Sequence, residues 1–496
     1  MSLRSQEQQS VRKLIQMVKK IYFVGIKGVG NAPLAIIAKQ AGIEVAGSDT
    51  GEEFITDKYL QSQNIVLDNG FDLMMPEQFF GETRKDECLV VTTGAHGGFD
   101  NPQSKWAKEN GYKVLSQGQV LGEYMSGNIF GRNDIEGISV AASHGKTTIT
   151  SLLSTALVSL GEDISYTIGT GEIFPLGSPG KYGKSKYFVA EADEYASEPV
   201  YDRQAKFLYQ RPTYAIFNNI DFDHPDIFPT VDSVYEAFEE FSKRIKPGGS
   251  LILNGDDQML RRLLENKRED ITYITYGKNT DNDFVLSNFI PDGPSHFSVS
   301  KNGEAFGDFS LSLLGEYNAL NSMSVIVLLS FLGFSTEDIS NSVASFTGSK
   351  RRSEIVGKTK GGALLMDDYG HHPNEIAATL SAISAAYPSK KIVVIFQPHT
   401  FSRTKSLLND FANSFSSAEQ LILMPVFKSA RDTEKDTLTD EEYVSSHKAK
   451  VSNTLLLRNE ADVVEYVGQN FNNDSYIIVT MGAGDVYKIA YLLKEI

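Results

Sequence analysis

The chain has 496 residues, room for about three domains at roughly 150 residues each. Hydrophobic residues are 41% and charged residues 22%, which excludes a largely disordered, collagen-like or coiled-coil chain. With 47 Lys and Arg against 63 Asp and Glu, the net charge is −16; this field repels phosphates, so no nucleic acid partner is expected.

The single cysteine, Cys88, excludes an internal disulfide, and Met1 to Lys20 contains no uninterrupted apolar run, so the expected compartment is the cytoplasm. The densest apolar stretch, Met323 to Phe334, is broken by serines and a glycine and is shorter than the ~20 residues a spanning helix needs. No membrane insertion is expected.

Short β-branched runs, each followed by a polar or Gly-rich turn and a stretch of helical periodicity, predict an α/β fold with parallel sheets in three blocks. The first block opens with a strand over Ile21 to Gly25. A helix carrying Leu34, Ile37, Ala38 and Ala41 on one face follows, then strands over Ile43 to Ser48 and Leu89 to Thr93. Its glycine loop, Gly25-Ile-Lys-Gly-Val-Gly30, has the order G-x-x-G-x-G, and Pro33 stands where a dinucleotide fingerprint read from Gly28 has its third glycine. Asp49 follows at the end of the second strand. The loop suits a nucleotide diphosphate at a helix N-terminus more than it suits a hydride-transfer cofactor.

After a linker over Gly127 to Glu136, the second block opens with a strand over Ile138 to Ala142. Then comes Ser143-His-Gly-Lys-Thr-Thr148, followed by a helix carrying Leu152, Leu153, Ala156, Leu157 and Leu160. A glycine-lysine-threonine turn between strand and helix is the setting of a phosphate-binding loop. Backbone amides face the phosphates, Lys146 supplies a cation and Thr147 a hydroxyl for Mg²⁺. The eight-residue pattern G-x-x-x-x-G-K-[ST] is incomplete, because its first glycine falls on Val140. Strands at Tyr187 to Ala190, Tyr214 to Phe217 and Leu251 to Leu253 follow. Two of them end in Glu191-Ala-Asp-Glu-Tyr195 and Asn219-Ile-Asp-Phe-Asp-His-Pro-Asp226, carboxylates and a histidine at strand ends where open α/β sheets bind ligands. Thr275 to Ser312 reads as a β-excursion.

A second linker, Phe346 to Lys350, leads to the third block, with strands at Ala363 to Met366, Ile392 to Phe396, Leu421 to Val426, Thr454 to Leu457 and Tyr476 to Thr480. Asp367-Asp-Tyr-Gly-His-His-Pro373 and Gln397-Pro-His-Thr-Phe-Ser-Arg403 follow the first two. No cysteine or third histidine lies at a zinc-ligand spacing, so these turns point to nucleotide or substrate contact.

Taken together, these motifs resemble the Mur ligases, ATP-dependent enzymes of bacterial cell-wall peptide synthesis, along nearly the whole chain. The resemblance also takes in Gly315-Glu-Tyr-Asn-Ala-Leu-Asn321, Lys350-Arg-Arg352 and Met481-Gly-Ala-Gly-Asp485. Departures from the family pattern are Ala142 at the usual first glycine of the phosphate loop, Tyr317 at a common histidine, Ser353 at a usual phenylalanine, and Asn31-Ala-Pro33 after the first loop.

The resemblance implies a three-domain architecture. A Rossmann-like UDP-sugar domain spans 1–134, a central P-loop ATPase domain 135–347, and a Rossmann-like C-terminal domain 348–496 that binds the incoming amino acid. It implies ATP and Mg²⁺ as cofactors, UDP-N-acetylmuramate and L-alanine as substrates, and a monomer or homodimer. ATP would phosphorylate the lactyl carboxylate to an acyl phosphate, which the amine then displaces. Lys146, Glu191, His224, Arg351 and His371 would carry catalysis, and Thr147, Glu191 and His224 the metal. Nucleotide contacts would come from Ser143, His144, Gly145, Lys146, Thr147, Thr148, Asn219, Asn318, Asn321, Arg351 and Asp367. Substrates would meet Gly28, Val29, Gly30, Ser48, Asp49, Thr92, Thr93 and His96 on the sugar-nucleotide side, and Glu194, Tyr369, His371, His399 and Arg403 on the acyl and amine side. Tyr201 to Phe207 is more similar to family members that recycle a murein tripeptide, so that acceptor stays open beside L-alanine, as does a non-catalytic UDP-sugar binder.

Overall fold

The computed structural model describes residues 18–198, 200–224, 227–291, 295–427 and 438–496. Pro225 and Asp226 of the Asn219 motif lie outside the described residues. The chain divides into two compact units. One holds the residues up to Val285 with Ser300–Phe306 and Asn321–Phe346, and the other holds Leu286–Val299, Gly307–Leu320 and Thr347–Ile496.

The first unit begins with five strands, β1 (Lys20–Val24), β2 (Glu44–Asp49), β3 (Val66–Asn69), β4 (Cys88–Thr92) and β5 (Lys113–Ser116), in the order β3-β2-β1-β4-β5. All pair in parallel. Ile21, Tyr22, Phe23 and Val24 are fully buried because both faces of β1 are covered, which is why they read as an unbroken apolar run. Helix α1 (Ala32–Gln40) starts with Pro33 in its first turn, where a missing N–H costs no bond. Helix α2 (Gln117–Met125) starts at a capping box of Ser116 and Gln119. The sequence reading lacked β3 and β5, four residues each and largely half-exposed, too short to show periodicity.

The second sheet comprises β6 (Glu136–Ala141), β7 (Ser165–Thr167), β8 (Gly180–Lys181), β9 (Tyr187–Ala192), β12 (Tyr214–Phe217), β13 (Ser250–Asn254) and β14 (Thr272–Gly277). A separate two-stranded hairpin, β10 (Ala196–Glu198) and β11 (Asp202–Ala205), interrupts it in the chain. At the β14 edge the excursion foreseen over Thr275 to Ser312 takes the form of β15 (Phe284–Ile290), β16 (Ser295–Lys301) and β17 (Glu304–Leu311), whose residues are shared between the two units. Helix α3 (Lys146–Ser159) follows β6, and its side chains are buried from Thr147 to Leu157.

In the second unit, β18 (Glu354–Lys358), β19 (Leu364–Asp368), β20 (Lys391–Phe396), β21 (Gln420–Leu423), β22 (Thr454–Leu456) and β23 (Tyr476–Met481) form a sheet ordered β18-β19-β23-β20-β21-β22. Only β18 is antiparallel to its neighbour. Apolar clusters cover both faces, one around Met366, Phe396 and Phe411, the other around Leu365, Ile395 and Ile489. Helix α4 (Pro373–Ala386) is capped by His372 and Glu375, and its N-terminus follows β19 directly. Among the described residues no helix is long and apolar enough to cross a membrane.

Within the first unit, α2 of the first sheet packs on the short helical turn Lys206–Tyr209 through two glycines. A Cβ on Gly118 would meet Lys206 Cα at 3.2 Å, and one on Gly122 would collide with the Tyr209 carbonyl oxygen. Because backbone carbonyl oxygen cannot move aside as a side chain can, Gly122→Ala is expected to destabilise the unit by about 1–3 kcal/mol. A urea-unfolding midpoint equal to that of the unsubstituted chain would contradict this packing.

Candidate active site

Three parallel strands deliver the central cluster. β9 and β12 flank β6 in register, Ala192 and Phe217 both pairing with Ala141, so the segments leaving the three strands emerge side by side. From β6 comes Ala142 to Gly145, from β9 Glu191 to Tyr195, and from β12 Asn218 to His224. Gly145 caps α3 at φ +88°, a left-handed conformation, and a Cβ there would meet Asn321 Oδ1 at 3.0 Å. This position requires glycine. No side chain caps the first turn of α3, and none of its first residues is acidic. Its amides and positive dipole end therefore make an anion site. Ala142 is fully buried and is not among the residues with left-handed backbone, so its Cβ fits the loop without strain.

The segment after β12 splints this loop. His144 N donates to Asn219 Oδ1 at 2.8 Å, Asn219 Nδ2 donates to His144 O at 2.9 Å, and Ser143 N donates to Asn219 O at 3.0 Å. Ser143 Oγ accepts from Asp221 N at 2.9 Å, and His144 Nε2 lies 3.1 Å from Asp221 Oδ2. Asn219 is thus a loop holder through both ends of its amide. Asn218 Nδ2 donates to Asn321 Oδ1 at 2.9 Å and its Oδ1 accepts from Tyr276 Oη at 2.6 Å, which fixes Asn321 beside Gly145. Asn318, one turn earlier on the same helix, belongs to the second unit and donates to Leu314 O at 2.9 Å.

Lys146 curls back over its own loop. Its Nζ donates to Glu194 Oε2 at 2.8 Å, to Glu194 Oε1 at 3.1 Å, to Ser143 O at 3.3 Å and to Ala142 O. Burial alone lowers the affinity of an amine for its proton, but Glu194, Asp193 and Glu191 outweigh it and hold the ammonium above its ordinary pKa. Glu194, expected on the substrate side, is the ion-pair partner of Lys146 and is almost completely buried. Glu191 Oε1 accepts from Gly169 N at 2.8 Å. His224, at φ +56°, lies 3.6 Å from both Glu194 and Asp223 and packs on the Tyr195 ring at 4.9 Å. Thr147 and Thr148 are both nearly buried in the first turn of α3. The Thr147 hydroxyl and Glu191 carboxylate are hard oxygen donors suited to Mg²⁺; His224 adds a nitrogen donor, less usual for that ion.

At the first sheet, Gly28, Val29 and Gly30 form the tip ahead of α1, with Val29 exposed. Asp49 braces this loop, accepting from Lys27 N at 2.7 Å and Thr50 N at 2.8 Å, with His96 Nε2 3.5 Å away. His96, at φ +53°, lies against the Phe71 ring, and Thr93 sits half-buried beside Gly25. Ser48 and Thr92 differ from expectation. Both are fully buried, Ser48 bonded to Gln103 Oε1 at 2.5 Å and Thr92 to Gly98 O at 2.9 Å, so their hydroxyls hold the sheet together rather than face a ligand. Their strand-end position misled because both faces of this sheet are covered, so a hydroxyl there meets protein on either side.

In the second unit, Arg351, at φ +63°, is stretched between two tyrosine rings, 4.9 Å from the centroid of Tyr369 and 4.6 Å from that of Tyr487. Its Nε donates to Asp367 Oδ2 at 3.2 Å and its Nη2 to Gly482 O at 2.5 Å. Thr480 Oγ1 donates to Asp367 Oδ1 at 2.6 Å. Burial raises the Asp367 pKa to about 6 despite the opposing pull of Arg351 and Thr480. Tyr317 and Ser353 touch, hydroxyl to hydroxyl at 3.5 Å, and Ser353 N donates to Asp368 Oδ2 at 2.7 Å, so two departures from the family pattern are neighbours. His371 Nδ1 lies 3.1 Å from Tyr369 O and 3.7 Å from Glu375 Oε2. His399 stacks on Phe427 at 5.5 Å, and Arg403 lies in the short helix Phe401–Ser406.

Lys206, Asn218, Thr480 and Tyr487 escaped sequence reading, because nothing local marks a residue that acts through a partner far along the chain. Left-handed non-glycine backbone occurs at His96, His224 and Arg351, the kind of conformation that concentrates at functional sites, but it belongs to the fold and leaves no mark in the sequence.

A pH profile tests the Asp367 geometry. The folded pKa, about 6, exceeds the usual carboxylate range, so between the two values the folded chain keeps a proton that the unfolded chain releases. The stability this group contributes is full at low pH and is lost as pH rises toward and past 6. Relative to Asp367→Asn, the unsubstituted chain should lose on the order of 3 kcal/mol across that window. A pH-independent difference between the two would contradict it.

Comparison with known proteins matches three family models along the chain. Residues 20–128 match the Mur ligase family, catalytic domain; 140–329 match the Mur ligase middle domain; and 351–484 match the Mur ligase, glutamate ligase domain. The UDP-N-acetylmuramate–L-alanine ligase of Desulfitobacterium hafniense is 33% identical over 95% of this chain and 99% of its own length. That of Levilactobacillus brevis is 36% identical over 96% of each. The crystal structure of UDP-N-acetylmuramate-alanine ligase from Thermotoga maritima superposes with a TM-score of 0.76 at 23% identity over 96% of this chain and 98% of its own. A murein peptide ligase from Psychrobacter arcticus gives 0.69 at 22% identity over 96% and 99%. By full-length identity to its relatives, with a phosphate loop, acidic strand end and buried arginine in series, the chain belongs to the Mur ligase family, with that family's three-domain α/β architecture.

Proposed function

We propose that this chain is an ADP-forming ligase that joins L-alanine to the lactyl carboxylate of UDP-N-acetylmuramate, using ATP, in the synthesis of peptidoglycan precursors. The observation that carries the reading is identity of 33–36% to ligases of that name over 95–96% of the chain. The Gly145-Lys-Thr147 turn at the start of α3 supports it. The proposed domain boundaries are 1–134, 135–347 and 348–496.

In this reading the β- and γ-phosphates lie on the amides at the start of α3, and Lys146 moves from Glu194 to phosphate oxygen. Thr147 and Glu191, with His224, would hold Mg²⁺, which would neutralise the phosphate charge. A lactyl carboxylate oxygen attacks the γ-phosphorus as its bond to ADP breaks, leaving an acyl phosphate. No protein nucleophile is needed, so catalysis rests on alignment and electrostatics. The first loop, Gly28 to Gly30, with Asp49 and His96, takes the uridine diphosphate.

The amine of L-alanine then attacks the acyl carbon and inorganic phosphate leaves. An attacking ammonium must first lose a proton. With Nδ1–H donating to Tyr369 O, the basic nitrogen of His371 is Nε2, which accepts that proton. Arg403 offers a forked cation for the amino acid carboxylate, and Tyr369 and His399 complete the acceptor side. Arg351, with Asp367 fixing its fork, serves the nucleotide.

ADP release should require both UDP-N-acetylmuramate and L-alanine, and Lys146→Ala should lower it by about 10³-fold or more. Unchanged turnover in that variant would refute the phosphate-loop assignment. Because Tyr201 to Phe207 resembles the recycling ligases, the panel includes glycine, L-serine and L-alanyl-γ-D-glutamyl-meso-diaminopimelate. Faster turnover with the tripeptide than with L-alanine would replace the proposed acceptor.

A further inference from the structure

Asp193 stands between Glu191 and Glu194 in the acidic strand end and is neither a proposed metal ligand nor the partner of Lys146. Its Oδ2 accepts from Lys206 Nζ at 2.7 Å and its Oδ1 from Tyr195 N at 3.1 Å. Glu191, Asp193 and Glu194 all bear electrostatically on Lys146. Three carboxylates around one ammonium would leave net negative charge where a polyphosphate must bind. Lys206 supplies the second positive charge, and it does so from outside the loop.

The backbone fixes Lys206 in that role. Lys206 N donates to Tyr195 O at 2.9 Å and Phe207 N to Asp193 O at 3.0 Å, which folds the Lys206–Tyr209 turn back onto the strand end. From the other side, α2 presses on it through Gly118, and Ser116 and Ser197 are joined hydroxyl to hydroxyl at 2.6 Å. The first residue of α2, Gln117, donates to Gly30 O at 3.4 Å. A continuous set of contacts therefore runs from the glycine loop of the first sheet to the charge on Asp193.

We infer that Lys206 is a positioning residue that masks Asp193, so that the phosphate loop binds a nucleotide polyphosphate instead of gathering divalent cation on a bare carboxylate cluster. The inference rests on the reading of the Lys146 loop as the nucleotide site. Masking makes two affinities move in opposite directions, which a merely structural role would not do.

Calorimetry on the full chain separates them, with Mn²⁺ alone as one titrant and the β,γ-imido analogue of ATP with Mg²⁺ as the other. Lys206→Met should weaken the nucleotide by about tenfold and tighten Mn²⁺ by a similar factor, while Lys206→Arg stays within about twofold on both. Removing both charges, Asp193→Asn with Lys206→Met, should bring nucleotide affinity back to within about threefold of the starting value. Lys206→Met leaving both affinities unchanged, or moving both the same way, would overturn the inference, as would a folded double variant that does not recover. Absence of nucleotide binding by the unsubstituted chain would overturn the phosphate-loop reading itself.

Discussion

A buried ammonium must be paired, and in this chain the pairing of Lys146 with Glu194 depends on the register of three parallel strands. Because β6, β9 and β12 align at Ala141, Ala192 and Phe217, the loop carrying Lys146 and the acidic segment carrying Glu194 leave the sheet at the same level. A shift of β9 by one residue would turn Glu191 and the segment beyond it to the opposite face. The splint from Asn219 and the glycine at the α3 N-cap then have one purpose, to hold amides and cation in a fixed cradle. What binds there meets a prearranged field and needs little reorganisation, which is the main source of catalysis in phosphoryl transfer.

The second unit repeats the device, a buried cation held by a buried carboxylate. Here the buried partner of an arginine is Asp367, and two aromatic faces join a carbonyl oxygen in completing the cage. Arg351 has a left-handed backbone and a guanidinium pinned by Tyr369, Tyr487 and the Gly482 carbonyl, so its fork is oriented before any ligand arrives. Tyr317 and Ser353, which both depart from the family pattern, meet each other, and Ser353 braces Asp368. Departures that look arbitrary one at a time in the sequence thus have a shared physical consequence.

Much of this was legible in the sequence. Strands buried on both faces, such as Ile21 to Val24 and Val393 to Phe396, announce themselves as β-branched and aromatic runs, and glycine-lysine-threonine before an amphipathic helix identifies the phosphate loop. Short or half-exposed strands such as Val66–Asn69 carry no such pattern. Among candidate residues, those in turns after strands were found, because turns after parallel strands are where polar groups collect. Their direction was not legible. Ser48 and Thr92 point into the protein, Glu194 pairs with Lys146, and Lys206 reaches Asp193 across thirteen positions of chain. Long-range pairing of charges leaves no local trace in a sequence.

The measurement that bears most directly on this account is a crystal structure with Mg²⁺ and a non-hydrolysable ATP analogue. The account predicts the terminal phosphates on the amides of residues 144–148, with Lys146 Nζ moved off Glu194 and onto a phosphate oxygen. A nucleotide seated elsewhere, with Lys146 still closed on Glu194, would contradict it.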